Sequence, residues 1–298
     1  MRIYTLADAE RIIANNLHRL RNFDTIIGVP RSGSIFAAFI ATQLGCSLAD
    51  VATGARSVVV KKHGYIVQEP LGRVLLMEDV VNQGNSLREC FEVLKQTVDI
   101  HRGDVTTCSV WTNPGSEPNC VDINLGGPHD PQYAFTWQMW HSARWSQWAT
   151  DMDGVLCCDA PAEERTHEQY CDWAVGANAR WRPLPKRVER YKIGAIITSR
   201  PEGIRKHTED WLRRQGLQWK QLIMVPGNTE SDVIKYLKDH HVSRAEWKAQ
   251  MVALKFPACE MFIESDRRQA CAISKRYPGL VWCTDSQERF RGGNVVTE

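Results

Sequence analysis

Val74-Leu75-Leu76-Met77-Glu78-Asp79-Val80-Val81-Asn82-Gln83-Gly84-Asn85-Ser86 decides how the first half of this chain is read. Val74–Met77 is an apolar run with the length of a buried strand. Two carboxylates follow at once, and Gly84-Asn85-Ser86 then opens a helix expected near 86–96. A helix amino terminus behind a glycine presents backbone N–H groups, and the positive end of the helix dipole, to an anion. Glu78 and Asp79 cannot bind phosphate, but they can accept hydrogen bonds from sugar hydroxyls or hold a hydrated Mg²⁺. The stretch suits a sugar phosphate.

Upstream, Leu6, Ala9, Ile12, Ile13, Leu17 and Leu20 form a helical stripe that Thr5 can cap. Thr25–Val29 reads as a buried strand running into Pro30-Arg31-Ser32-Gly33, with a helix over 34–44. Downstream, Val105–Trp111 reads as another strand, and the Gly- and Pro-rich stretch 113–131 as irregular structure. Strands alternating with helices predict a parallel α/β sheet.

A second acidic signature, Asp151-Met152-Asp153-Gly154-Val155-Leu156, follows the short apolar run Trp148–Thr150. The alternation restarts here, with strands expected at 193–198, 222–225, 260–264 and 280–283 and helices at 203–215, 231–240, 244–254 and 267–276. The fold class is α/β, with two Rossmann-like open parallel-sheet domains. Their expected extents are 1–132 and 148–298, joined by a linker or interface segment over 133–147. Trp137, Trp140, Trp145 and Trp148 cluster around that segment, where packing at a domain junction is preferred over base stacking. Ligands of such sheets bind beyond the carboxyl ends of strands, and both signatures stand at such ends. Two carboxylates spaced i and i+2 can converge on one metal, one attacking phosphorus while the other moves protons.

A net charge of +2 lacks the concentrated basic footprint of a nucleic-acid binder. The ten cysteines show no CxxC pair, which argues against zinc and for reduced thiols. No signal peptide opens the chain and no apolar run reaches membrane-spanning length, so a cytoplasmic protein without membrane partner is expected.

Val74–Leu87 resembles the phosphoribosyl-pyrophosphate (PRPP) motif of type I phosphoribosyltransferases. That family usually carries Thr-Gly-Gly/Lys/Ala-Thr in the loop; Gln83-Gly84-Asn85-Ser86 departs from it at Gln83 and Asn85 and keeps a hydroxyl at Ser86. Arg31, Ser32 and Gly33 correspond to the pyrophosphate-binding loop. Arg56, Lys61, Lys62 and His63 resemble the mobile basic loop of orotate-type members, preferred here over a solvated hairpin turn. The resemblance, over roughly residues 1–125, implies phosphoribosyl transfer from PRPP to a base-like acceptor, with Mg²⁺ and a homodimer. Lys61 would be catalytic, with Glu78 and Asp79 holding the ribose.

The second signature resembles the haloacid dehalogenase (HAD) superfamily, over roughly 146–298. The resemblance implies Asp151 as nucleophile, Asp153 as general acid/base and Thr198, after Gly194–Ile197, as a phosphoryl ligand. Lys248 is preferred over Lys255 as the lysine of the site. Asp151, Asp153, Glu264 and Asp266 would supply the metal ligands, with Glu264 and Asp266 competing for one role. Roughly 44 residues separate Asp153 from Thr198, too few for a large cap domain. Arg200, Arg205, Lys206 and His207 either grip a second part of the substrate or form the basic first turn of an exposed helix. The joint expectation is a bifunctional enzyme of nucleotide or nucleoside metabolism, whose phosphatase substrate could be the nucleotide just made. The alternative is a phosphatase regulated by a domain that senses PRPP without transferring it.

Overall fold

The computed structural model describes residues 1–52, 57–62, 65–66, 71–97, 104–116, 120–160, 167–180 and 191–296; at 52, 57–62, 65–66 and 97 only the backbone is described. The chain divides into two compact units, Arg2–Trp137 and Gln138–Glu298, with Met1 assigned to the latter. Among the described residues no helix is long and apolar enough to cross a membrane. The ten cysteines are free thiols.

The first unit contains β1 (Arg2–Tyr4), α1 (Leu6–Leu20), β2 (Thr25–Gly28), α2 (Ser32–Leu44), β3 (Ser47–Ala52), β4 (Ser57–Lys62), β5 (Tyr65–Ile66), β6 (Val74–Val81), α3 (Asn85–Thr97), β7 (Val105–Thr112), β8 (Ile123–Asn124) and β9 (Tyr133–Phe135). Thr5 caps α1 in a capping box: its Oγ1 accepts from the Asp8 N–H at 3.1 Å, and Asp8 Oδ2 accepts from the Thr5 N–H at 2.8 Å. The α1 stripe then buries Ala9, Ile13 and Leu20. The main sheet runs β5-β4-β3-β2-β6-β7-β8. Pairing is parallel from β3 through β8 and antiparallel at the β3–β4–β5 edge. Both β2 and the first half of β6 are buried throughout, which is why they read as continuous apolar runs.

One difference from the sequence expectation bears on the site. The strand expected to end at Met77 continues to Val81, because β-branched Val80 and Val81 keep pairing with Trp111 and Thr112 of β7. Glu78 and Asp79 therefore lie inside the strand, and its period of two sends them to opposite faces.

The second unit contains β10 (Trp148–Thr150), α4 (His167–Gly176), β11 (Ile193–Pro201), α5 (Arg205–Arg214), β12 (Trp219–Val225), α6 (Glu230–Asp239), α7 (Arg244–Lys255), β13 (Met261–Glu264), α8 (Arg267–Arg276), β14 (Leu280–Cys283), β15 (Arg289–Arg291) and β16 (Asn294–Val295). Its sheet order is β12-β11-β10-β13-β14-β15-β16, parallel over the first five strands and antiparallel at the end. Capping boxes start α6 at Thr229/Asp232 and α7 at Ser243/Glu246. Ala149, Ile197, Phe262, Val252 and Trp247 pack together in the core.

Residues 133–147 divide between the units. β9 pairs with β1 in the first unit, whereas 138–147 belongs to the second and forms short 3-10 turns at Met139–His141 and Ala143–Gln147. The four tryptophans divide likewise. Trp137 stacks with Trp111 at 5.9 Å between ring centroids in the first unit, and Trp145 packs on Trp148 at 5.7 Å in the second.

In each sheet the strand order reverses at one place: β2 beside β6, and β10 beside β13. Ligands of open α/β sheets bind at such reversals, beyond the carboxyl ends of the strands. Arg31 follows β2, Glu78 and Asp79 lie in the second half of β6, Asp151 follows β10 and Glu264 ends β13.

Candidate functional site

The first site is built at the β2/β6 reversal. Val29 N–H donates to the Met77 carbonyl at 2.8 Å, and α2 starts almost in contact with β6. A Cβ at Gly33 would stand 2.4 Å from the Met77 carbonyl oxygen, so only glycine allows this approach. Arg31, Ser32 and Gly33 thus sit at the start of α2, beside the end of β6.

Glu78, Gln83, Gly84, Asn85 and Ser86 line one cavity of about 440 Å³ at the start of α3, joined by Asn113. Burial pushes Glu78 up from its ordinary 4.5 to about 7, with the Asp79 charge adding to the rise and a hydrogen bond with Ser86 opposing it. Asp79 is buried, and its Oδ2 accepts from Trp137 Nε1 at 2.8 Å. The two acids expected to hold one ribose are thus in different surroundings: Glu78 borders the cavity and Asp79 is held by an indole. Trp137 was missed as a partner because the bond spans 58 positions of sequence. Arg88, also missed, donates to the Gln83 carbonyl at 2.8 Å and to Asn85 Oδ1.

Lys61 and Lys62 lie in β4, Lys61 paired by backbone with Leu48 and Ile66 and Lys62 with Tyr65. The expected mobile basic loop is, over Ser57–Lys62, a strand. Arg56 and His63 fall outside the described residues.

The second site is built at the β10/β13 reversal. Asp151 follows β10, its N–H donating to the Ile263 carbonyl at 2.9 Å. Gly154 has φ +76°, and a Cβ there would lie 2.1 Å from Ser265 Oγ, so the turn after Asp153 both needs glycine's backbone freedom and packs on the β13 loop. Lys248, on α7, is buried and reaches Asp151 Oδ2 at 2.5 Å, Glu264 Oε2 at 2.8 Å and Gln269 Oε1 at 3.0 Å. Lys255, its competitor in the sequence, ends α7 exposed. Burial and the Glu264 and Asp153 carboxylates push Asp151 upward, whereas the Lys248 ammonium pulls it down. Burial works to lower Lys248, but the Asp151 and Glu264 carboxylates raise it overall.

Asp153 has a second cation. Arg200 Nη2 donates to its Oδ1 at 2.7 Å, and Nε reaches Oδ2 at 3.0 Å. Although burial works the other way, this guanidinium holds Asp153 below the usual carboxylate range. Thr198 Oγ1 also reaches Asp153 Oδ2, at 3.4 Å. Arg200 is fully buried at the end of β11, so the sequence reading of it as a substrate grip or an exposed first turn is corrected. The alternation of β11 turns it inward, as it does Thr198 two positions earlier. Arg205, five residues on, pairs with Glu202 and Glu209 on the surface.

Asp151, Asp153, Glu264 and Asp266, the carboxylates expected around Mg²⁺, line one cavity of about 990 Å³. Among the described residues no three Asp, Glu, His or Cys side chains form a metal-holding cluster. Glu264 spends Oε2 on Lys248 and Oε1 on the Ser265 and Asp266 amides. Asp266 caps α8 through Oδ1. Asp151 also accepts at both oxygens, Oδ2 from Lys248 and Oδ1 from the Met152 N–H at 2.7 Å. Mg²⁺ needs only one or two carboxylates when it keeps waters and a phosphate oxygen, so this donor set fits it.

Residues 3–125 match the family described as phosphoribosyl transferase domain. Orotate phosphoribosyltransferase of Caenorhabditis elegans is 33% identical over 95 residues, which cover 32% of this chain and 40% of that protein. The chain thus matches less than half the length of this curated relative. A purine phosphoribosyltransferase from Pyrococcus horikoshii aligns at 23% identity and a TM-score of 0.34, over 46% of this chain and 94% of that one. Orotate phosphoribosyltransferase from Aeropyrum pernix aligns at 24% identity and a TM-score of 0.27, over 36% of this chain and 58% of that one. By the sequence matches, residues 3–125 are similar to a phosphoribosyl transferase domain.

Proposed function

We propose that this chain joins two phosphate-handling enzymes of nucleotide metabolism. The amino-terminal domain transfers ribose 5-phosphate from PRPP to a base-like acceptor, and the carboxy-terminal unit is a HAD-type hydrolase of a phosphate monoester. The transfer reading is carried by the cavity that Glu78 shares with the start of α3, inside the matched domain. The hydrolase reading is carried by Lys248, buried between Asp151 and Glu264 with Asp153 two residues on.

In the first site the amides of 83–86 receive the 5′-phosphate and the Glu78 carboxylate accepts from a ribose hydroxyl. Arg31, at the start of α2, neutralises the leaving pyrophosphate. Mg²⁺, when bound, adds charge neutralisation at both sites; Glu78, which borders the cavity, would contribute to holding it in the first, and Asp151 and Asp266 in the second. In the second site an Asp151 carboxylate oxygen attacks phosphorus as the ester oxygen leaves with a proton from Asp153. Water then attacks the aspartyl-phosphate, giving its proton to Asp153 and releasing inorganic phosphate. A phosphate dianion beside Asp153 favours its protonated form by like charge. Lys248 orients the nucleophile and offsets its charge.

A second reading, PRPP sensing without transfer, has one observation in its favour. Arg88 already ties Gln83 and Asn85, the two positions where the loop departs from the family pattern. Purified protein with PRPP, Mg²⁺ and a panel of bases and nucleotides decides between them, with pyrophosphate and phosphate followed separately. Base-dependent pyrophosphate supports transfer. PRPP binding without pyrophosphate from any base supports sensing, and no phosphate from any monoester removes the hydrolase reading.

A further inference from the structure

The second cavity carries information about the leaving group as well as the phosphate. Asp153, the group that protonates the departing oxygen, marks the side on which that group leaves. Tyr170 of α4 lines the cavity together with Asp153. One face of its ring is covered by Trp173, at 5.4 Å between centroids and 29° between planes. Trp173 is itself fixed beneath the Arg200 guanidinium, at 4.8 Å. A chain of contacts thus runs from Asp153 through its ion pair with Arg200, and from Arg200 over Trp173, to Tyr170, a ring in the wall of the cavity that Asp153 also lines. Ile234 of α6, an apolar side chain that is 57% exposed, lines the same cavity.

The charge of the lining is equally directional. Among the described lining residues seven are carboxylic acids and two, Arg244 and Lys248, are cations. The excess survives the pairing of Asp153 with Arg200 and of Asp285 with Arg180. Glu230 is also paired, with Arg244, and Lys248 serves both Asp151 and Glu264. The described lining still keeps more carboxylates than cations, a negative field on whatever enters with the phosphate.

Resting on the hydrolase reading above, we infer that this site takes a nucleoside monophosphate whose base is planar and carries no negative charge, with Tyr170 as the base-stacking surface. Base–aromatic stacking supplies affinity irrespective of base identity, and the carboxylates exclude anionic bases and further phosphates. A polynucleotide end is disfavoured by the same field.

The test uses the full chain with Mg²⁺ and three 5′-phosphates: uridine 5′-monophosphate, orotidine 5′-monophosphate, which adds a carboxylate to the same ring, and ribose 5-phosphate, which lacks the base. Uridylate should exceed ribose 5-phosphate in kcat/KM by about fivefold or more, and should exceed orotidylate. Tyr170→Leu should collapse the uridylate to ribose 5-phosphate ratio towards one. Ile234→Lys, at an exposed position, should raise orotidylate relative to uridylate, and it serves where Tyr170→Leu fails to fold. A ratio unmoved by Tyr170→Leu, or orotidylate turned over as well as uridylate, overturns the inference and leaves the hydrolase intact. No Asp151-dependent phosphate from any of the three removes the hydrolase reading and the inference with it.

Discussion

The two candidate sites hold their carboxylates differently. In the first, Glu78 borders the cavity with its carboxyl raised by burial, and Asp79 is held by a neutral indole N–H. In the second, each of the two signature carboxylates has its own buried cation, Lys248 on Asp151 and Arg200 on Asp153. Buried charge must be paired or it becomes strongly unfavourable. The second site therefore has buried cations already set against both of its signature carboxylates.

The strongest test of this contrast is functional. Asp151→Asn should lower phosphate release by about a thousandfold or more and leave PRPP binding and any pyrophosphate release in place. Loss of both activities from a folded variant would break the two-site picture. Next in size is stability. Lys248→Met leaves Asp151 and Glu264 buried without their cation and should cost about 3–5 kcal/mol, read as a shift in the urea midpoint. A variant as stable as the parent would show that the ion pair is not structurally required.

A smaller effect is expected from pH at the first site. Glu78 is protonated in the fold below about 7 and ionises above it, so its capacity to accept from ribose hydroxyls grows as pH rises through that value. Mg²⁺–PRPP affinity should rise about tenfold at most between pH 6 and 8, because one pKa unit corresponds to one decade. Glu78→Gln should flatten the profile. The stability contribution has the opposite sign. The folded chain keeps a proton that the unfolded chain loses near 4.5, so this stabilisation is full below 4.5 and is lost as pH rises through about 7. The smallest change should come from Arg88→Ala. Arg88 is exposed and ties the 83–85 loop from outside, so its loss should alter stability by less than about 1 kcal/mol. If Gln83 and Asn85 are being held away from phosphate, the same variant should tighten PRPP binding.

Local sequence carried much of this. The apolar runs at 25–28, 74–77, 193–197, 261–264 and 280–283 were legible as strands because parallel strands buried on both faces leave no alternation to interpret. The start of α1 was legible from Thr5 because a cap is a contact between neighbours in the chain. Asp151 and Asp153, or Gln83 to Ser86, could be grouped for the same reason. Other features were hidden. The continuation of β6 through its two acids depends on pairing with β7, and the Glu78 and Asp79 environments diverge because adjacent residues of a strand face opposite sides. Arg200 looked like one of several surface cations until β11 turned it inward.

The sequence by itself determined two α/β alternations, two acidic signatures at strand ends and the residue types able to handle phosphate, since period, strand length and capping act over a few positions. Only the tertiary structure decided which cation meets which carboxylate. Lys248 meets Asp151 across 97 positions, Arg200 meets Asp153 across 47 and Trp137 meets Asp79 across 58. Such pairings are selected by burial, which makes an uncompensated charge or donor unfavourable wherever along the chain its partner lies.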